Sequence, residues 1–111
     1  MDRQVRWSRL ARDEFEEALA YIARNSPARA VAFADRILTE VDSLPQWPYQ
    51  GHVVDELDDP AYREIPAWPY RIVYRLTDEA VGVVAVMHGA RDFGPAWDQP
   101  GRTDGPETWL E

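Results

Sequence analysis

The stretch from Pro69 to Asp92, PYRIVYRLTDEAVGVVAVMHGARD, reads as a strand, a tight turn and a second, nearly all-apolar strand. Tyr70, Ile72, Tyr74 and Leu76 alternate with Arg71, Val73 and Arg75, so the first strand has two faces of different chemistry. Thr77-Asp78-Glu79-Ala80 is a short polar connection suited to a hairpin, though it lacks an Asn-Gly signal. Val81 through Met87 is apolar on both faces, which predicts a central strand covered above and below. A hairpin with arginines on one strand and His88-Gly89-Ala90-Arg91-Asp92 closing the other is where recognition or chemistry is expected.

Upstream of this hairpin the period changes. Val5-Arg6-Trp7 reads as a short strand, and Ser8 after it is a good helix N-cap. From Arg9 to about Arg24 the apolar residues Ala11, Phe15, Ala18, Leu19 and Ile22 form one helical stripe. Asp13, Glu14, Glu16 and Glu17 are expected mostly on its wet side. Asn25-Ser26-Pro27 breaks and restarts the chain, with Ser26 as cap and Pro27 at the first helical position. A second helix is predicted from Pro27 to about Leu44 through Ala30, Phe33, Ala34, Ile37, Val41 and Leu44, ended by Pro45 and Pro48. So short a link makes the two helices an antiparallel hairpin on one face of the sheet.

Further strands are expected at His52 to Leu57 and at Ala61 to Ile65, before the Pro66-Ala67-Trp68-Pro69 corner. The order β-α-α-β-β-β-β predicts an α+β fold: a short N-terminal strand and a two-helix hairpin packed on a curved antiparallel sheet. Residues 1–93 form one domain in this reading. Residues 94–111 form a Gly/Pro/Trp-rich tail without periodicity, expected to be extended or partly disordered. Trp97, Trp109 and Leu110 remain available there to dock on an apolar surface or a partner, while Trp7, Trp47 and Trp68 are expected to pack at element ends.

The 111 residues suffice for one real core, and 45 % hydrophobic with 29 % charged residues is ordinary for a soluble globular chain. The absence of cysteine removes disulfides and thiolate metal sites, and no metal or cofactor is expected. The longest apolar run is too short to span a bilayer and no signal-peptide core opens the chain, so no membrane role and a cytoplasmic location are expected. A formal net charge of -8 argues against indiscriminate nucleic-acid binding. Charge is unevenly placed, however: acidic clusters lie at Asp13 to Glu17 and Asp55 to Asp59, while Arg63, Arg71, Arg75 and Arg91 fall in the sheet half. All 12 basic residues are arginine, which removes lysine from every mechanism.

Taken in order, several phrases carry a family resemblance. They are Ala30-Val31-Ala32-Phe33-Ala34-Asp35-Arg36-Ile37 on the helical hairpin, the Leu44-Pro45…Pro48…Gly51 exit, Arg63 ahead of Pro69-Tyr70-Arg71-Ile72-Val73-Tyr74-Arg75, and Met87-His88-Gly89-Ala90-Arg91-Asp92. From Val5 to about Asp92 the chain resembles the RelE/ParE superfamily of bacterial toxins from type II toxin–antitoxin modules, more like the ParE branch. The resemblance implies a growth-inhibiting toxin of a plasmid-stabilization type, neutralised by a cognate antitoxin protein, in a complex that can be a heterotetramer. In the ParE branch the implied target is DNA gyrase, inhibited by binding. The alternatives are a RelE-like ribosome-dependent mRNA endoribonuclease, and a non-toxic antitoxin-binding or regulatory protein of the same fold.

For the nuclease alternative, the resemblance places Arg71 and Arg91 on phosphate, which suits guanidinium forks. His88 or Glu64 would then move the proton. The set departs from the ribonuclease pattern: Tyr62, Arg63 and Glu64 stand where lysines are expected, and Phe93 stands where a terminal tyrosine would be. For target binding, Arg63, Arg71, Arg75, His88 and Arg91 are the candidate residues, expected to gather near a common rim. Each also has a structural reading. Arg71 can pair with Asp92 or Glu64, Arg75 can be solvated, His88 can be a hydrogen-bonded strand-end residue, and Arg91 can pair with Asp92. Asp55 to Asp59 reads as a solvated turn, or as a surface for a basic antitoxin segment.

Overall fold

Ser8 Oγ accepts the Ala11 N–H at 3.0 Å and so starts the first helix where the sequence places it. The computed structural model describes residues 2–111. Its first elements are β1 (Gln4–Trp7), α1 (Arg9–Ala23) and α2 (Pro27–Ser43). Ser26 caps α2 by accepting the Arg29 N–H at 3.2 Å, and Pro27 occupies the first turn, where no N–H is missed. The apolar stripes point inward as predicted: Ala11, Phe15 and Ala18 of α1 and Ala30, Ile37 and Val41 of α2 are buried. Ile37 and Val41 are almost wholly buried, each contributing about 1.5–3 kcal/mol relative to an exposed position.

Four further strands follow: β2 (His52–Val53), β3 (Tyr62–Ala67), β4 (Tyr70–Leu76) and β5 (Ala80–His88). They make a five-stranded sheet in the order β1-β5-β4-β3-β2. The last four are antiparallel to their neighbours, whereas β1 joins β5 in parallel, Gln4 opposite Ala80 and Trp7 opposite Val83. The sheet is therefore mixed. β5 thus runs the same way as β1 and opposite to β4.

Strand ends moved relative to the sequence reading. β2 is two residues long: Val54, its side chain buried, still donates its N–H to the Tyr62 carbonyl at 3.2 Å, but the chain then turns, Leu57 N–H donating back to the Val54 carbonyl at 3.1 Å. β3 runs past Ile65 through Pro66 to Ala67, and a tight Trp68-Pro69 turn leads into β4. Trp47 and Trp68 do not pack at element ends; they are 64 % and 80 % exposed. A β-bulge between β4 and β5 lets Tyr74 pair with Val83 and Val73 with Ala85. Its extra residue, Val84, shares an apolar cluster with Ala85.

Both faces of β5 are covered, by different parts of the chain. Against the helices lie Ile65, Ile72, Tyr74, Val81, Val83 and Val86. On the opposite face Val54, Tyr62, Val73, Val84, Ala85 and Met87 meet Ala96 and Trp109. The segment from Gly94 onward is thus ordered on the sheet, in place of the loose tail expected. It contributes α3 (Phe93–Trp97), a 3-10 turn (Pro106–Thr108) and Leu110, whose N–H donates to the Trp7 carbonyl at 2.7 Å. Trp109 is only 4 % exposed. The helical hairpin can shield one face of so apolar a strand; the C-terminal segment shields the other.

Candidate functional site

On β4 the period of two sends Tyr70, Ile72 and Tyr74 toward the helices and Arg71, Val73 and Arg75 toward the C-terminal segment. Arg71 is held there on two sides. Its Nε and Nη2 donate to Glu64 Oε1 and Oε2 at 3.0 and 2.6 Å, and its Nη1 and Nη2 donate to Glu56 Oε2 and Oε1 at 2.8 Å each. Phe93 lies 5.0 Å from the guanidinium, ring centre to carbon. Glu64, at 5 % exposure, is tolerated as a buried charge because this fork satisfies it. Hydrogen bonding to Arg71 holds the Glu56 carboxyl below the usual carboxylate range, and both carboxylates raise the Arg71 pKa further.

Arg75 lies on the same face, its guanidinium 5.8 Å from the Tyr62 ring centre. Burial pushes the Tyr62 phenol up, with Arg75 opposing the shift. Arg63, opposite Tyr74 in the ladder, turns to the helix side at the β2 end of the sheet. There Nη1 donates to the Gly51 carbonyl at 2.9 Å, and the guanidinium covers the Tyr49 ring at 4.9 Å. Beside it the Tyr74 hydroxyl donates to the Pro48 carbonyl at 2.8 Å and accepts the Gly51 N–H at 2.9 Å.

His88 pairs with Tyr70 in the ladder and meets its ring edge-on, centres 5.2 Å apart. Its Nδ1 accepts the Ala90 N–H at 3.1 Å, which shapes the turn after β5. Arg91 is exposed and shares with His88, Tyr70, Tyr21, Glu14 and Glu17 a shallow cleft of ≈ 300 Å³ beside α1. No ion pair links Arg91 to Asp92 among the described residues. The candidates therefore do not meet at a common rim. Arg71, Arg75 and Glu64 face the C-terminal segment, while Arg63, His88 and Arg91 lie on the helix side, at two separate places. Glu56 of the acidic turn belongs to the Arg71 cluster, so that turn is more than solvated chain.

A second polar centre escaped the sequence reading. Arg102, 3 % exposed, donates through Nη1 and Nη2 to Glu14 Oε1 and Oε2 at 2.7 Å each. It also donates to the carbonyls of Val84 at 2.7 Å, Ala96 at 2.9 Å and Trp97 at 3.0 Å. Glu14 Oε1 in turn accepts the Val86 N–H at 3.0 Å. β1 pairs with β5 only as far as Val83, so Glu14 and Arg102 satisfy the β5 backbone where β1 ends. A signal was present: Glu14 sits with Ala11, Phe15 and Ala18 on the buried stripe of α1, three residues after the first and four before the last.

Chemically, the Arg71 cluster is an ion triad in which each of the three guanidinium nitrogens already donates to a carboxylate. No group of three or more His, Asp or Glu side chains is placed to hold a metal among the described residues.

A family model, the ParE toxin of the type II toxin–antitoxin system parDE, matches residues 5–93. A putative toxin, Y4kP, of Sinorhizobium fredii is 30 % identical over 91 residues, covering 82 % of this chain and 93 % of that protein. Toxin RelE2 of Caulobacter vibrioides is 34 % identical over 89 residues, 79 % of this chain and 97 % of that one. Among solved structures, a chain of the chromosomal ParDE TA system from P. aeruginosa superposes with a TM-score of 0.62 at 19 % identity, over 78 % of this chain and 95 % of that chain. That likeness shows the fold, and the sequence matches show the lineage. The chain belongs to the ParE toxin family of type II toxin–antitoxin systems, within the RelE/ParE superfamily.

Proposed function

We propose that this toxin acts by stoichiometric binding, inhibits DNA gyrase in the cytoplasm when free, and is neutralised there by a cognate antitoxin. The observation that carries the binding reading is the separation of Arg71 from His88 and Arg91 by the thickness of the sheet. Cleavage of RNA needs a proton-transfer group within about 2.6–3.2 Å of the atom it serves, beside a cation on the same phosphate. Arg71 is instead neutralised by Glu64 and Glu56 and lies across the sheet from Arg91 and His88, so the two arginines that a nuclease would set on one phosphate are on opposite faces. Family membership supports the antitoxin, and the exposed side chains Tyr21, Val31, Leu38, Trp47, Tyr49 and Trp68 offer apolar anchors outside the C-terminal face.

The test is supercoiling by purified gyrase titrated with the purified, folded toxin. Inhibition that saturates near equimolar toxin and is reversed by the antitoxin from the neighbouring reading frame is the expected result. Undiminished supercoiling overturns the gyrase assignment. Toeprints with codon-periodic cuts on translating ribosomes would instead assign the endoribonuclease activity, and normal growth on induction of the toxin alone would assign a non-toxic antitoxin-binding role.

A further inference from the structure

We propose that the sheet face opposite the helices, together with the socket around Glu14, is a peptide-binding site for a segment bearing an arginine followed by Trp-Leu. In this chain residues 102–110 fill that site in cis as a releasable strap. The family match ends at residue 93, and the two curated relatives are covered to 93 % and 97 % of their own lengths by alignments of about 90 residues. The strap therefore lies beyond the family match.

It is held at three points, each a feature of the body of the protein. The first is the arginine socket: the Glu14 carboxylate and the carbonyls of Val84, Ala96 and Trp97, with the Trp97 ring 5.4 Å from the guanidinium carbon. A bidentate carboxylate with a ring of carbonyls selects a planar guanidinium over an ammonium. The second is Gly82, the one residue in Ala80–His88 without a side chain, over which the Trp109 indole lies. The third is the free edge of β1, where Leu110 makes a one-residue antiparallel bridge with Trp7 while Arg6 Nη2 donates to the Trp109 carbonyl at 2.7 Å. Strand addition with an aromatic anchor and an arginine anchor is a known way of holding a peptide.

The strap's anchors all lie beyond one permissive hinge, so it would leave as a unit. Gln99, Pro100 and Gly101 are exposed, and Gly101 has φ 86, a conformation only glycine adopts without strain. Departure would uncover the apolar cluster around Val84, Ala85 and Met87, which invites a peptide of the same chemistry.

The experiment uses full-length protein and a fluorescein-labelled peptide, DQPGRTDGPETWLE, spanning residues 98–111. The R102A/W109A protein is expected to bind this peptide saturably. Wild type, whose site is filled, binds at least tenfold more weakly, and a peptide carrying R102A and W109A binds neither. Equal binding to both proteins, or no binding to a double variant that circular dichroism shows folded, overturns the proposal. Amide exchange on wild type decides independently if the variant does not fold. The Arg102, Trp109 and Leu110 amides should exchange together and at least tenfold faster than Ile72 and Val73. Strap amides as slow as β4 would overturn it.

Discussion

Trp109 lies over Gly82 so closely that a Cβ added to the glycine would fall among the atoms of the indole's six-membered ring. Gly82 has no positive φ, so space, and not backbone freedom, accounts for glycine in the middle of a valine-rich strand. Gly82→Val should expel the indole and expose the apolar cluster behind it. The expected loss is about 2–4 kcal/mol, read by urea unfolding, with a red shift in tryptophan emission. Unchanged emission with unchanged stability would contradict the packing described.

Glu14 and Arg102 make an ion pair that is almost shut off from water. Arg102→Met should cost about 3–5 kcal/mol, since the carboxylate is left buried and the carbonyls of Val84, Ala96 and Trp97 lose their donor. Combining it with Glu14→Gln should recover part of that loss, because the double variant leaves no uncompensated charge. A double-mutant cycle in guanidinium chloride measures the coupling, and strict additivity would show that the two side chains do not interact.

The two carboxylates on Arg71 should behave differently. Glu64 is buried, and Glu64→Gln is expected to cost about 1–3 kcal/mol. Glu56 is exposed, so Glu56→Gln should cost less than about 1 kcal/mol at neutral pH. Its folded-state pKa is depressed, so its contribution is present above the ordinary carboxylate range and is lost as pH falls through the lowered value. Melting temperatures from pH 7 downward should therefore fall less steeply for Glu56→Gln than for wild type.

Tyr74 joins β4 to the turn after α2 through one hydroxyl. Tyr74→Phe orphans the Gly51 N–H and the Pro48 carbonyl, with an expected loss of about 1–3 kcal/mol. Burial raises the phenol pKa in the folded state. The stability linked to it is complete below the ordinary tyrosine range and is lost as pH rises through the folded value. Alkaline unfolding curves should show that limb in wild type and a weaker one in the phenylalanine variant.

The helices and the hairpin were legible in the sequence because their signals are local. Ser8 and Ser26 cap as expected, Ala11, Phe15 and Ala18 face inward, and the alternation from Tyr70 to Arg75 assigns the faces of β4. That same alternation separates Arg71 and Arg75 from the Tyr70 face, whereas His88 joins that face only through the register that pairs it with Tyr70. The short β2 was not legible, because it depends on Val54 being drawn into a cluster assembled from β3, β4 and β5.

By itself the sequence determined the α+β order, the family and the demand that β5 be covered on both sides, since composition and period express local burial. Which chain covers the second side was decided only in three dimensions. Glu14 and Arg102, or Gly82 and Trp109, are far apart along the chain, and neither member of a pair carries a periodic signal that names the other. A buried carboxylate, a missing side chain and a solitary arginine acquire meaning only when folding sets them within van der Waals or hydrogen-bond reach, where low polarity makes each unpaired group costly.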